Sequence, residues 1–399
     1  MEETARQLNQ VSTNKSYSMI TLVLFWCGLV VVSGLYITIP LVNLFSNSFH
    51  VSLSQATWVS SAFSLFYAMS FLIFGPLVER IGSKRVMLIG LISLSIVTPI
   101  IGLMNSLPFI ILTRGIQGMA AAIVPLSMLA YAAEMFPIAK RVTTIGFISS
   151  GFLMAGIAGQ VMSGVVSQSF GWRYVFYFLG AVYFMTMLIV IFLTPKSQEM
   201  RKDTPLLTPY ISMGKLLTRG PIILCYLITV MLLLSFVGMY TALGSYLSHS
   251  PYHLNNQNIL YFRSIGILGM LLSPFAGRLV SRFGSTKVLN GGLFLAVIGL
   301  AFIGLGTNLI FMIVMSVIFV SGIAICVPTL ISLVGQLGGA SRGAAVSLYS
   351  FILFIGATLG PVITIHLLST GSYVLTFEML AMLLGIGLVV SFFIKPKSE

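Results

Sequence analysis

Two arginines sit where an arginine is costly. Arg114 and Arg263 each lie inside an otherwise apolar run, and an unpartnered guanidinium in hydrocarbon costs about 3 kcal/mol or more. Gln117 and Gly118 follow Arg114 at i+3 and i+4, on the same helical face, which makes Gln117 its first expected neighbour. Arg263 has Tyr261 beside it, and Tyr36, Tyr67, Tyr240, Tyr349 and Gln160 supply neutral hydrogen-bonding groups from other apolar runs. Of the eight acidic residues only Glu378 falls inside such a run, while Glu134 caps one. Glu378 and His366, both near the ends of their runs, are the candidate proton-titrating groups. Two intramembrane guanidiniums without a deep carboxylate favour a ligand that carries carboxylates, or a zwitterion, over a lipophilic cation.

Other chemistries lack their residues. There is no phosphate-binding loop, dinucleotide fingerprint or HExxH pair, so ATP-driven work and metalloprotease chemistry are not expected, and the chain reads as a non-enzyme with no cofactor. His50, His249 and His253 fall between apolar runs. Pro251 opposes presentation of the last two on one helix, so no metal site is expected. Cys27, Cys225 and Cys326 are an odd set within apolar runs, read as small core residues and not as a disulfide framework.

The elements that must position these groups are membrane-spanning helices. The 399 residues are 57% hydrophobic and only 7% charged, with a mean hydropathy of +1.04, whereas a soluble domain carries roughly 25% charged residues. The apolar runs reach the ~20 residues that a helix needs to cross a bilayer, and they do not alternate as barrel strands do. The predicted fold is an all-α integral membrane protein of twelve spans in two six-helix bundles. Spans are expected near 18–45, 56–76, 85–104, 108–133, 143–168 and 173–194, then 220–247, 257–279, 287–306, 308–334, 343–369 and 373–394. An N-terminal segment 1–17, a bundle 18–194, a linker 195–219, a bundle 220–394 and a tail 395–399 follow. The first span is too long for a cleaved signal peptide and is expected to be retained.

The net charge of +13 does not mark a nucleic-acid binder, because the basic residues sit in short loops between spans and not on a polar domain. Eighteen of the 21 fall on one side of the expected membrane, only Arg173 on the other, and Arg114 and Arg263 within spans. That asymmetry predicts a cell-membrane protein with both termini cytoplasmic.

The two bundles repeat each other. Gly75-Pro-Leu-Val-Glu-Arg-Ile-Gly-Ser-Lys-Arg85 follows the second span, and Gly277-Arg-Leu-Val-Ser-Arg-Phe-Gly-Ser-Thr-Lys287 follows the eighth, about 202 residues later. Duplicated halves are the architecture of rocking transporters. The first of these segments resembles motif A of the major facilitator superfamily, with Glu79 for the usual Asp and Ser83 for the usual Arg. Arg114-Gly-Ile-Gln117-Gly118-Met-Ala-Ala-Ala122 resembles motif B, and Gly171-Trp172-Arg173 is similar to the drug:proton antiporter branch. Motif C is degraded: Gly151, Gly156 and Gly159 remain, but Ile157 and Gln160 replace its proline and last glycine, and a fragment with Gly356, Gly360 and Pro361 appears in span 11.

The resemblance implies a transporter, monomeric, with protons, a small-molecule substrate and membrane lipids as its only partners and the proton gradient as energy source. It gives Arg114 a part in proton coupling or in a hydrogen-bond network, and the residue types and positions put Gln117, Arg263, Tyr36, Tyr240, Gln160 and Glu378 with it along the expected substrate and proton pathway. It also implies a conformational latch of Gly75, Glu79, Arg80, Gly82, Lys84 and Arg85 with Glu134 and Arg141, mirrored by Gly277, Arg282 and Gly284. Efflux of a small polar, zwitterionic or carboxylate-bearing compound is expected, in the manner of staphylopine-type metallophore exporters. Multidrug efflux of lipophilic compounds, proton-coupled import, or a membrane enzyme or receptor are the competing readings.

Overall fold

The computed structural model describes residues 2–196, 208–249, 251–306, 308–369 and 371–394, and among them only helices and turns occur. Eleven stretches are long and apolar enough to cross a membrane. The longest, Leu309–Leu368, is two helices parted by a tight turn at Gly339–Ser341, which makes twelve crossings. They are α1 (Glu2–Tyr36), α2 (Leu53–Ile81), α3 (Ser83–Leu103), α4 (Leu107–Met135), α5 (Ile138–Phe170) and α6 (Trp172–Leu193), then α7 (Gly220–Ser248), the composite crossing α8 within Asn256–Phe283, α9 (Ser285–Ile303), α10 (Leu309–Gly338), α11 (Arg342–Leu368) and α12 (Tyr373–Ser391).

Local chemistry sets several boundaries. Ser52 and Gln55 form a reciprocal capping box at the start of α2, which satisfies donors that an isolated helix end leaves free. Asn308 and Ser372 cap α10 and α12 in the same sense. Proline occupies the first turn of α4 and of α7, where its missing N–H costs nothing.

Two expected spans differ in shape. The first ends as a helix at Tyr36, and the chain turns before a short helix Val42–Phe49. The eighth, expected as one helix over 257–279, is instead four pieces: Asn256–Ile265, Ile267–Met270, the 3₁₀ turn Ser273–Phe275, and Ala276–Phe283. From Gly266 to Phe275 the chain mixes i→i−3 bonds, such as Gly266 N to Arg263 O, Leu272 N to Gly269 O and Phe275 N to Leu272 O, with i→i−4 bonds at Met270 and Leu271. Pro274 has no N–H to continue an α-helical ladder, and two glycines precede it.

The repeat seen in the sequence is a repeat in the backbone. Gly82 closes α2 and opens α3 with φ +97°, and Gly284 opens α9 with φ +85°. Both sit in a region that side chains rarely tolerate. Gly82 N donates to Val78 O and Val86 N to Gly82 O at 3.2 and 3.1 Å, while Gly284 N donates to Val280 O and Val288 N to Gly284 O at 2.8 and 3.2 Å. Each of these residues has its counterpart 202 positions on. Helix packing repeats as well. Gly151 of α5 lies on the Phe25 carbonyl of α1, and Gly356 of α11 lies on the Val230 carbonyl of α7, each because a glycine lets the two backbones approach.

Contacts divide the chain into two units, Met1–Tyr67 with Leu77–Arg201, and Ala68–Pro76 with Lys202–Glu399. In the first, α1 packs on α5, and α3 on α4 and α6. In the second, α7 packs on α11 and α12, and α9 on α10 and α12. The segment 68–76 groups with the second unit through stacking of Phe71 on Phe354 at 5.4 Å and a bond from Tyr210 Oη to Ile73 O of 2.9 Å. Parts of the expected linker, at 197–207, and the tail 395–399 lie outside the described residues.

Candidate functional site

In the first unit the polar centre is Arg114, 0% exposed. Helix α4 carries it, and three other elements supply its acceptors. Nε donates to Val59 O at 3.2 Å, Nη1 to Gly34 O at 3.1 Å and to Gln117 Oε1 at 2.6 Å, and Nη2 to Thr38 Oγ1 at 3.4 Å. The guanidinium also lies over the Phe63 ring at 4.2 Å. Gln117 passes the network on, donating from Nε2 to Thr98 Oγ1 of α3 at 2.7 Å, and Thr38 pairs with Ser60 at 2.7 Å. Gly118, next on the α4 face, rests on the backbone carbonyl of Phe63. Every acceptor around Arg114 is neutral. The arrangement fixes a positive charge inside the bundle and ties α1, α2, α3 and α4 to it; the side chain does not snorkel to an interface.

Near this network Tyr183 of α6 points its hydroxyl at Gly34, and that hydroxyl is closed off without a hydrogen-bond partner. The Tyr36 ring lies over Gly156 of α5, and Gln160 folds back onto Gly156 O at 2.7 Å. Tyr36 and Gln160 therefore share one neighbourhood, with half-buried side chains.

In the second unit Arg263 comes together with Tyr240, and not with Tyr261, the neighbour that the sequence offered. Arg263 Nη2 donates to Tyr240 O at 2.7 Å, and its guanidinium carbon is 5.9 Å from the Tyr240 ring centre. Arg263 Nε and Tyr240 Oη are both closed off with no partner. Tyr261 does not join them; it is 60% exposed and accepts from Gln257 at 3.0 Å. Glu378 on α12 is half-buried, and no ion pair links it to Arg263 among the described residues.

The motif A segment divides. Gly75 packs on the Ser347 side chain inside the second unit. Gly82 makes the turn already described, and Arg85 is exposed. The side chains of Glu79 and Arg80 lie outside the described residues. Ser83, the departure from the motif, is buried and donates to Glu134 Oε2 at 2.6 Å. Lys84 donates to Ile191 O at 3.1 Å and to Thr194 O at the end of α6, where a cation suits the exposed carbonyls of a helix C-terminus. Arg141 Nη2 donates to Phe136 O at 3.4 Å. In the repeated segment Gly277 is buried, Arg282 is exposed over the Phe283 ring at 5.3 Å, and Gly284 makes the matching turn.

Sequence reasoning missed the residues that act through their backbone or through absence of a side chain: Gly34 and Val59, whose carbonyls hold Arg114, and Gly244 and Gly266, which lie against Arg263 and Tyr240. It also passed over Thr98 and Tyr183, small signals in long apolar runs.

The model of the Major Facilitator Superfamily matches residues 24–349 and 264–399. An uncharacterized transporter of Buchnera aphidicola subsp. Schizaphis graminum is 26% identical over 348 residues, 86% of this chain and 84% of its own. The MFS-type transporter YybF of Bacillus subtilis is 27% identical over 349 residues, 86% and 85% of the two chains. Among solved structures, the human organic anion transporter MFSD10 (TETRAN) superposes with a TM-score of 0.77 at 16% identity, covering 94% of this chain and 99% of its own.

Proposed function

The chain belongs to the Major Facilitator Superfamily, and on that premise we propose that it is a secondary transporter of the cell membrane that exports a small polar, zwitterionic or carboxylate-bearing compound in exchange for protons by alternating access. One observation carries the choice of cargo. Two guanidiniums, Arg114 and Arg263, are set within the crossings, and among the described residues Arg263 keeps donors without a protein acceptor. A lipophilic cation would meet repulsion from both; a carboxylate would meet complementary charge and geometry. Arg114 is the fixed charge of the first unit, holding the network of Gln117, Thr98 and Thr38. Tyr36 and Gln160 line the cargo path there, Arg263 and Tyr240 line it in the second unit, and Glu378 is the carboxylate available for proton exchange. The excess of basic residues in the loops on one side supports a reading with both termini in the cytoplasm.

Everted membrane vesicles test this directly. Metabolites that accumulate in the medium only of cells carrying the protein are offered to the vesicles, and uptake should collapse when an uncoupler is added. Uptake that persists removes proton coupling. Accumulation inside intact cells instead of the medium makes the protein an importer, and transport restricted to lipophilic cations makes it a multidrug antiporter.

A further inference from the structure

We propose that Arg263 and Tyr240 form an oxyanion subsite within the second unit, where the eighth crossing is interrupted, and that it takes a carboxylate or phosphate group of the cargo. The proposal rests on the reading of the cargo as anionic or zwitterionic and locates where that charge is held.

A guanidinium has five N–H groups. Arg263 makes one hydrogen bond, from Nη2 to Tyr240 O. Its Nε is closed off without a partner, and Nη1 makes no hydrogen bond and is not closed off. Tyr240 Oη, on a ring whose centre is 5.9 Å from the Arg263 guanidinium carbon, is also without a partner among the described residues. Buried donors in native proteins are nearly always satisfied, so unmatched donors on two adjoining side chains are a departure. The charge is equally unmatched, since no carboxylate reaches Arg263 among the described residues. A neutral acceptor would satisfy the hydrogen bonds alone, whereas an oxyanion satisfies both bonds and charge, with two oxygens suited to the planar guanidinium edge.

The backbone is shaped around the pair. Gly244 of α7 lies flat against Arg263 Nη2, and Gly266 lies against Tyr240 Oη; a methyl group at either place would occupy the position of that polar atom. Gly266 is also where α8 first departs from the α-helical ladder, directly after the piece Asn256–Ile265 whose last turn carries Arg263. Phe236 meets the Tyr240 ring edge-on at 5.2 Å, giving the subsite an apolar side that suits a small organic acid more than a hydrated inorganic ion.

The test uses the purified full chain in detergent and reads Arg263 itself. Phenylglyoxal modifies arginine, and peptide mass spectrometry gives its rate at Arg263 in chloride, acetate, succinate or inorganic phosphate at equal ionic strength. Succinate should slow modification about fivefold relative to chloride when present at about four times its dissociation constant. Tyr240→Phe and Gly244→Ala should each reduce that protection to less than about twofold. Protection by phosphate alone would assign the subsite to a phosphorylated cargo, and protection by the carboxylates to an organic acid. Equal rates in all four salts would overturn the proposal, leaving the donors to water. Should Arg263 resist the reagent throughout, thermal unfolding decides. A Tm raised by succinate in the wild type but not in Arg263→Gln supports the subsite, and equal shifts overturn it. None of these readouts depends on transport direction or on protons, so protection that holds while vesicle uptake ignores an uncoupler would remove the coupling and leave the subsite standing.

Discussion

Arg114 and Arg263 are the same residue held in opposite ways. Arg114 has acceptors on all three of its nitrogens, an aromatic face beneath it and no exposure. Arg263 has one acceptor, an orphaned Nε and a partly buried side chain beside a broken helix. An ion surrounded by fixed dipoles is stable where it is and has most of its donors committed, whereas one with unmatched donors retains affinity for whatever can match them. The difference separates a group that organises its bundle from one poised for cargo, even though the sequence presents both as lone cations in apolar runs.

The largest effect that would sharpen or break this contrast is on stability. Arg114→Gln should lower the thermal midpoint of the detergent-solubilised chain, at a cost of about 2–4 kcal/mol, because acceptors on several helices lose their donors inside the bundle. If Arg263→Gln costs as much, the contrast fails. Next come the paired turns. Gly82→Ala and Gly284→Ala should each cost about 1–3 kcal/mol by forcing a side chain into a glycine region of backbone space, and the two losses should match, since both turns carry the same bonds. Unequal losses would show that the halves are not mechanically equivalent there. Ser83→Ala should then cost about 1–2 kcal/mol through its bond to the Glu134 carboxylate. Ser285→Ala, at the corresponding place in the second half, should fall within about 0.5 kcal/mol. The smallest expected change in midpoint is that of Arg263→Gln, within about 0.5 kcal/mol, together with loss of succinate stabilisation.

Much of this was legible in the sequence where side-chain type carries the signal. The i, i+3 spacing of Arg114 and Gln117 announced their bond, the 202-residue repeat announced the paired turns, and apolar runs announced twelve crossings. The acceptors of Arg114 were hidden because Gly34 and Val59 act through carbonyl oxygens, which every residue has. The interruption of α8 was masked by hydrophobicity. Its residues remain apolar enough to read as one span, although Gly266, Gly269 and Pro274 mark the place where an α-helix loses its ladder. Ser83 looked like a loss from motif A, and its value appears only with Glu134 beside it, 51 residues on in the chain.

The interrupted crossing has one more consequence. A 3₁₀ turn advances about 120° per residue where an α-helix advances about 100°, so each residue bonded in that manner rotates everything beyond it by about 20°. A single helical wheel drawn through Asn256–Phe283 therefore puts one end or the other on the wrong face. Cysteine-scanning accessibility along this segment should show two periodic waves out of phase, meeting between Gly266 and Phe275. The two ends of one crossing can then be surrounded differently, so a shift at Arg263 need not turn the far end as a rigid rod would.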